Sequence, residues 1–425
     1  MSSAGTGRTG ERQRAGLREV LAVREFRGLV AAQVASEAGD QIARVALALL
    51  VLSDTGSALL AAATFAVSFV PTFLGAALLG SLADRFSRKS LMLLADVARA
   101  ITIGVLALMA GTNAPLWVLF VLLFVAELFT PLFESARAAS IPDVLGSPRL
   151  VTAGTGLTRS LHLANQAIGL VLGGIVVQLT SPQAALFVDA ITFIVSYALL
   201  AAFLRNRPAM LDATESVRQL FTDLAEGWRM LVADKSRRAL ILLGWGMAAS
   251  LVAPEAVALA YVRDAGELDA WGGVLMASVI TGAALGSILV GRRTPRDQLD
   301  LVLPLAIAVC LPLLVTGIEP PIVLLVVLWF VSGVAQAFLV PVMSFTTLLT
   351  KNEHRGRVVG IASAGFAAVT ALGYLVTGFV ADRTSPAFAV TVMAALGLVV
   401  VSIGFVRWPS TRLRADVREL ELAGH

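Results

Sequence analysis

Residues 80–90 have the sequence GSLADRFSRKS, in which one acid and three bases end a long apolar stretch. Residues 55–83 contain no charged side chain, and the next apolar stretch starts directly after Ser90. A helix needs about 20 consecutive apolar residues to cross the hydrocarbon core of a bilayer. The segment therefore predicts two membrane spans joined by a short, basic loop.

The composition of the whole chain supports this interpretation. Of its 425 residues, 57% are hydrophobic and 15% are charged, whereas soluble domains have about 45–50% apolar and about 25% charged residues. We therefore expect an all-α polytopic membrane protein. The single cysteine excludes a disulfide framework, and the three histidines lie far apart in the sequence, so we expect no metal site.

Twelve apolar stretches are long enough to span a membrane, and the longest polar interval follows the sixth. This spacing predicts two six-helix halves. The predicted spans are 29–52, 58–81, 90–110, 115–136, 153–179, 184–204, 239–262, 271–291, 299–317, 321–346, 358–380 and 387–406.

The spans divide the chain into five parts. They are an N-terminal tail 1–28, an N-terminal six-helix bundle 29–204, a linker 205–238, a C-terminal six-helix bundle 239–406 and a C-terminal tail 407–425. Apolar residues at helical spacing in the linker indicate an amphipathic helix on the inner membrane face, with a solvated linker as the alternative.

The distribution of basic residues predicts the orientation. The two tails and the alternate loops between them contain 28 of the 33 Lys and Arg residues. Basic residues near membrane spans are enriched on the cytoplasmic side. We therefore expect both termini in the cytoplasm and a multi-pass protein of the plasma or inner membrane.

An internal repeat relates the two predicted halves. Pro131 in FTPLFESARA matches Pro341 in LVPVMSFTTLL, and the glycines of IGLVLGG in span five match those of LGYLVTG in span eleven, at an offset of about half the chain. Parallel repeats of six spans are a known plan of secondary transporters, which bind their substrate between the halves near the bilayer midplane.

The loop 80–89 resembles the signature of the major facilitator superfamily, G-x-x-x-D-R-x-G-R-K, except that Ser87 replaces a glycine. FESARAASIPD and ALFVDAITFIVSYALL are similar to sequences of the branch that contains macrolide-efflux and enterobactin-exporter-type permeases. Two family features of proton antiporters are missing, namely the proline of the span-five glycine motif and a buried arginine in span four. The matching gating-motif residues are Gly80, Asp84, Arg85, Arg88 and Lys89.

The resemblance implies the major facilitator fold and alternating access. It implies that Asp84 acts as a latch against the first turn of span eleven, near residues 357–360, where the helix N-terminus carries partial positive charge. The alternative is that the loop only anchors the orientation. The resemblance also implies a proton gradient as the energy source, with no bound cofactor.

Charged residues inside the spans are the candidates for substrate or proton binding, because each is costly in a bilayer. In span one, Glu37, Asp40 and Arg44 share a helical face. Asp40 and Arg44, one turn apart, are expected either to neutralise each other or to take part in binding.

In span four, Glu127 and Glu134 lie two turns apart on one face. We expect Glu134 to pair with Arg137 near the inner surface. Glu127 has no basic partner in its own span, which makes it the first candidate for the protonation site; an ion pair with Arg44 is the alternative.

The remaining candidates are spread over five spans. We expect Asp96 and Arg99 to pair within span three, Arg159 to be a counter-charge for span one or four, and His162 either to titrate or to pack by hydrogen bonding. The candidate site residues are Asp40, Arg44, Glu127, Glu134, Arg159, His162, Gln166, Asp189, Glu255 and Gln336.

The sequence contains neither a nucleotide-binding loop of the G-x-x-x-x-G-K-[ST] type nor an evident catalytic arrangement, so we expect no enzyme. We expect a monomer in a lipid bilayer that binds a small molecule and no nucleic acid. The predicted function is proton-coupled efflux of a lipophilic small molecule or drug. The alternatives are export of a specific metabolite such as a siderophore or self-made antibiotic, a lipid-translocating protein or a non-transporting membrane protein.

Overall fold

The computed structural model describes residues 16–71, 86–112, 114–207, 228–231 and 233–423, and all regular secondary structure in these ranges is helical. Gly80, Asp84 and Arg85 lie outside the described residues, as does most of the predicted linker 205–238. A short helix, Leu17–Ala22, precedes the first span.

The N-terminal half contains six spans. Span one is Arg24–Thr55, span two begins with Ala58–Val67, span three is Arg88–Ala110, span four consists of Leu116–Leu128 and Thr130–Leu145, span five is Pro148–Leu179 and span six is Pro182–Phe203.

The C-terminal half contains the other six. Span seven is Lys235–Asp264, span eight Ala270–Gly291, span nine Pro295–Leu314 with a 3₁₀ turn at Val315–Ile318, span ten Ile322–Ala335 with Leu339–Leu348, span eleven Arg355–Arg383 and span twelve Pro386–Arg407. A C-terminal helix, Ser410–Ala423, follows them.

The twelve-span prediction is confirmed in its main features. Ten helices in the described residues, spans three to twelve, are long and apolar enough to cross a membrane. Span one is a 32-residue helix whose charged residues keep it out of these ten. Several helices extend beyond the predicted apolar stretches; span five, for example, begins at Pro148 and not at residue 153.

Serine–proline pairs set the starts of several helices. Ser181 and Ser385 accept hydrogen bonds from the backbone N–H groups of Ala184 and Phe388, and a proline follows each serine. A serine at the N-cap satisfies an otherwise unpaired N–H, and proline fits the first helical position since no N–H is needed there. These two pairs begin spans six and twelve, at the spacing of the internal repeat.

The repeat also explains the interruptions in spans four and ten. Each span is broken shortly before a proline, at Phe129 before Pro131 and at Gln336–Phe338 before Pro341. Proline has no backbone N–H and cannot bond the carbonyl four residues earlier. For Pro131 that carbonyl belongs to Glu127, so the break lies beside a candidate site residue.

The two halves meet near the loops that follow spans one, five, seven and eleven. We call this end of the molecule the distal end, because the helices that precede span one and follow span twelve lie at the other end. Spans two and eleven pack together there, as do spans five and eight. A side chain at Gly378 would lie 2.7 Å from the Cα atom of Leu59, and one at Gly174 would lie 3.0 Å from the Cα atom of Ala270. Glycine is therefore required for this close approach.

A carboxylate of one half caps a helix of the other at the distal end. Asp382, in the last turn of span eleven, accepts hydrogen bonds from the backbone N–H groups of Ala58 and Leu59 at 2.6 and 3.3 Å. It also accepts one from the Ser57 hydroxyl at 2.6 Å. The first N–H groups of a helix have no partner within it and carry partial positive charge. Asp382 therefore joins the two halves at the distal end.

Replacing Asp382 by Ala should weaken distal closure, because the cap contacts join the two halves and are lost when these separate. Loss of a cap costs about 0.5–2 kcal/mol, which corresponds to a roughly 2- to 30-fold shift toward a distally open state. Spin labels attached to the two cysteines of an Asp54→Cys, Glu267→Cys variant, made in a Cys310→Ser background, would report the separation.

The matched control is Ser53→Ala, which removes a hydroxyl that bonds only to neighbouring residues of span one. This variant should leave the label distances unchanged. Identical distance distributions for the parent protein and Asp382→Ala would show that the cap does not hold the halves together.

Candidate functional site

Two arginines of the N-terminal half organise its buried charges. Arg44 of span one pairs with Glu127 of span four, with 3.4 Å between Nη2 and Oε1. Glu127 also accepts hydrogen bonds from the hydroxyls of Ser68 at 2.8 Å and Thr130 at 3.2 Å. The helix break before Pro131 places Thr130 for this contact. Glu127 is thus held by three helical segments. The ion pair with Arg44 forms, and the role of Glu127 as a protonation site stays a prediction.

Arg99 of span three forms the second ion pair. Its Nη2 lies 2.5 Å from Oδ1 of Asp40, and its Nη1 lies 3.3 Å from the Ser36 hydroxyl. The guanidinium also lies over the ring of Phe193, 4.1 Å from its centre. The Arg99 side chain is only 4% exposed, so this pair ties spans one and three together inside the bilayer.

Two of the pairings predicted within single helices, Asp40–Arg44 and Asp96–Arg99, do not form ion pairs. Asp40 pairs with Arg99 and not with Arg44, while Asp96 accepts a hydrogen bond from Ser196 at 2.7 Å and does not pair with Arg99. Neighbours one turn apart on a helix can interact. Here, pairs between helices give Asp40 and Glu127 each their own arginine.

Asp189 lies in the same buried region. Asp189 is 1% exposed, and its Oδ1 accepts a hydrogen bond from the Thr192 hydroxyl at 3.2 Å. It lines a cavity of about 20 Å³ together with Asp40, Arg44, Arg99 and Glu127. A cavity of this size holds about one water molecule, and three carboxyl groups and two guanidinium groups line it.

The C-terminal half presents Glu255 and Tyr374 toward this cluster. The Tyr374 hydroxyl is in hydrogen-bonding contact with Glu255, and both interact electrostatically with Arg44. The Tyr374 ring stacks on Phe65 of span two, with 5.6 Å between ring centres. This aromatic pair therefore joins the halves beside the charges. We call Arg44, Glu127, Glu255 and Tyr374 the central cluster.

A second group of polar side chains surrounds Glu37, one turn before Asp40. The Glu37 carboxylate accepts hydrogen bonds from Gln33 at 2.9 Å and Asn165 at 3.4 Å. It lies 3.2 Å from Nδ1 of His162 and 3.9 Å from Nη2 of Arg137. His162 thus faces an acid of span one. Glu37 is a functional candidate that the sequence analysis placed on the right face without selecting it.

The other candidates lie apart from these groups. Glu134 and Arg159 are exposed, and the expected Glu134–Arg137 pair does not form because Arg137 turns to Glu37 and Gln33. Arg159 forms no ion pair with a described residue, and its role as a counter-charge stays a prediction. Gln166 is half-buried, and Gln336 donates to the carbonyl of Leu251 at 3.4 Å.

The described gating-motif residues fasten the loop to the N-terminal half. Arg88 pairs with Asp143 and donates to the Ala139 carbonyl at 2.6 Å. Lys89 donates to the carbonyls of Ala201 and Leu204 at 2.8 and 2.6 Å, at the end of span six. Ser87, which departs from the family pattern, accepts from the N–H of Ser90 and caps span three.

Comparison with known families identifies the chain. The family model described as Major Facilitator Superfamily matches residues 29–319 and 301–422. The chain belongs to the major facilitator superfamily. It is a multi-pass membrane protein of a transporter family, and the resemblance drawn from the loop 80–89 is confirmed.

Relatives within the superfamily carry efflux names. Multidrug efflux pump Tap of Mycobacterium tuberculosis (strain ATCC 25618 / H37Rv) is 27% identical over 409 residues, which cover 92% of this chain and 94% of that protein. Macrolide efflux protein A of Streptococcus pyogenes is 24% identical over 222 residues, 52% of this chain and 54% of that protein.

Solved structures of the superfamily have the same fold. The nucleoside transporter NupG superposes with a TM-score of 0.71 at 15% identity, covering 91% of this chain and 99% of that one. A peptide transporter POT in complex with sulfate gives 0.68 at 14% identity, covering 96% and 99%. At this identity the likeness concerns the fold alone.

Removing Arg99 should destabilise the N-terminal half, because Asp40 would remain as an uncompensated charge. Breaking a buried ion pair on one side costs about 3–5 kcal/mol. We expect Arg99→Met to lower the thermal unfolding midpoint of the purified protein clearly, and Asp40→Asn combined with Arg99→Met to regain most of the loss. Equal losses for the single and double variants would contradict the pairing.

Proposed function

We propose that this protein is a secondary active transporter that exports lipophilic small molecules by alternating access, in exchange for protons. The observation that carries the proposal is the central cluster, in which Arg44 and Glu127 of one half face Glu255 and Tyr374 of the other. Superfamily transporters with two repeats bind their substrate in this place, between the halves near the midplane.

The charge balance of this region supports proton handling. Four carboxyl groups, those of Asp40, Glu127, Asp189 and Glu255, surround the guanidinium groups of Arg44 and Arg99. A buried charge without a partner is expensive. We therefore infer that the group carries protons when no other cation is present, with the Glu127 carboxyl as the exchanging site because it faces the C-terminal half through Arg44.

Exchange follows if proton and substrate compete for these carboxylates. A protonated Glu127 releases Arg44 and leaves the cluster with less negative charge, whereas an ionised one attracts a cationic or polarised substrate. The stacked Phe65 and Tyr374 rings, with Phe69 beside them, offer an apolar surface to a lipophilic molecule. Apolar walls with a few polar groups are usual for small-molecule sites.

The distal closure supports alternating access. With spans two and eleven and spans five and eight packed together at that end, the central cluster has to be reached from the end that carries the termini. We propose that this end is cytoplasmic, as the distribution of basic residues predicts. The distal contacts are then the extracellular gate of a monomeric transporter.

The relatives support efflux as the direction. The relative that matches 92% of this chain is named a multidrug efflux pump. The one that matches 52% of it is named a macrolide efflux protein. Drug export is therefore the preferred activity, and export of a single metabolite or translocation of a lipid are the competing ones.

Glu127→Gln should uncouple the transporter. In the variant substrate binding should persist, because glutamine keeps the shape of the side chain. Substrate-driven proton movement should fall to that of protein-free vesicles, because the amide cannot exchange a proton. Glu134→Gln, an exposed acid of the same span, is the control. Intact coupling in Glu127→Gln would move the proton site to Asp40 or Glu255.

Asp84→Asn should slow turnover without affecting insertion. The variant keeps every basic residue of the loop 80–90. If the loop only anchors the orientation, the turnover rate should therefore not change. A carboxylate at a helix N-terminus contributes about 0.3–1 kcal/mol, so loss of a latch should change the turnover rate by about two- to fivefold. Initial rates of transport in proteoliposomes would measure it, and an unchanged rate would remove the latch.

The proposed function is tested in inside-out vesicles with an acidic lumen and a pH-reporting dye. Lipophilic cations, macrolides and a catechol siderophore are added separately. A rise in luminal pH with one class, absent without the protein, is expected for export in exchange for protons. Substrate uptake without a pH change would contradict proton coupling, and no uptake of any compound would favour the lipid-directed alternative.

A further inference from the structure

The C-terminal helix Ser410–Ala423 is fixed to the end of the C-terminal half that carries the terminus. Its own residues Leu413 and Val417 are buried, at 0% and 2% exposure. Arg414 bonds Asp300 of span nine at 2.9 and 3.2 Å, and Asp416 accepts from Ser236 of span seven at 2.6 Å. The helix is therefore a fixed part of the fold and not a loose tail.

Three arginines line a cleft between this helix and the start of span nine. Arg296, Arg414 and Arg418 surround a volume of about 580 Å³, with Leu299 and Val417 as apolar lining. Arg296 and Arg418 form no hydrogen bond or ion pair with any described residue, and Asp300 engages Arg414 only through Nε and Nη2. Positive charge thus exceeds negative charge here, and an anion would balance it.

An apolar cleft continues from this one. It has a volume of about 300 Å³ and shares Leu299 and Arg414 with the arginine cleft. The rest of its lining is Leu303, Pro304, Phe405, Trp408, Ser410 and Asp300, whose carboxylate is paired with Arg414. Phe405, in the last turn of span twelve, is 69% exposed on the surface of the spans. Tryptophan is enriched where membrane meets water. The two clefts together run from a basic surface to the hydrocarbon region.

We propose that these clefts form a binding site for an anionic phospholipid. The phosphate group binds Arg296, Arg418 and the remaining N–H donors of Arg414, and an acyl chain lies along Leu303, Pro304 and Phe405. Clusters of basic residues directly beside a span attract anionic lipids. The continuous apolar cleft favours a lipid over free phosphate, because phosphate has no apolar part that could bind there.

The position of the site gives it a role. The bound lipid would bridge the beginning of span nine and the C-terminal helix, which Arg412 connects to Asp234 at the start of span seven, at 3.2 Å. Spans seven and nine belong to the half that must move against the other. The lipid is therefore a structural ligand of the C-terminal half, independent of the transported substrate.

Quenching of Trp408 by brominated lipids tests the site. The purified full-length protein is placed in phosphatidylcholine nanodiscs that contain the same low fraction of acyl-brominated phosphatidylglycerol or acyl-brominated phosphatidylcholine. The Trp408 signal is the difference between the parent protein and Trp408→Phe. We expect the quenching of Trp408 to show a preference for brominated phosphatidylglycerol over brominated phosphatidylcholine of at least about fivefold. This is the gain in affinity that one arginine near the membrane surface contributes.

Paired variants separate the site from general attraction to basic residues. Arg296→Gln with Arg418→Gln should abolish the preference, whereas Arg292→Gln with Arg293→Gln, which removes the same charge from residues outside both clefts, should retain it. Equal quenching by the two lipids in the parent protein would overturn the proposal. So would a preference that survives in the Arg296→Gln, Arg418→Gln variant.

Free phosphate is distinguished by competition. Inorganic phosphate is added at an ionic strength matched with sodium chloride. If phosphate displaces the brominated phosphatidylglycerol while sodium chloride does not, the clefts are a phosphate site and the lipid assignment is overturned. An unchanged preference in both salts agrees with a phospholipid that is held by its headgroup and its acyl chain together.

Discussion

The N-terminal half is arranged around the need to neutralise charges that lie inside a membrane. Glu37, Asp40 and Arg44 are carried on one face of span one, and each is matched by a group from another span. An unpaired charge at this depth costs at least about 2.5–3.5 kcal/mol. Spans three, four and five therefore have to pack where Arg99, Glu127, Arg137 and His162 can reach span one, and the cavity between them follows from that packing.

The C-terminal half meets this charged core with few ionisable groups. Glu255 and Tyr374 are its contribution near the centre, and glycines at the distal end let the backbones of the two halves approach closely. Charge and close packing are thus separated along the molecule. In the proposed exchange by alternating access, one region would change its protonation while the other opens and closes.

The sequence was sufficient for the number of spans, the repeat and the family, because each depends on a local signal. Apolar length shows a span, Pro131 and Pro341 show the repeat, and the loop 80–89 shows the superfamily. The pairing of charges could not be predicted in this way. Asp40 has Arg44 one turn away in its own helix, yet its partner is Arg99, 59 residues along the chain. Which arginine reaches which acid depends on helix packing that no local spacing encodes.

The cap at the distal end has a consequence for how the protein tolerates sequence change. Asp382 binds backbone N–H groups at positions 58 and 59, and every residue except proline supplies such a group. The two sides of this contact therefore differ in mutational tolerance. The side chains at positions 58 and 59 can change without loss of the backbone hydrogen bonds to Asp382. At position 382, no other residue combines the same charge with the same side-chain length. Sequence drift can reshape one face of the closed end without releasing it.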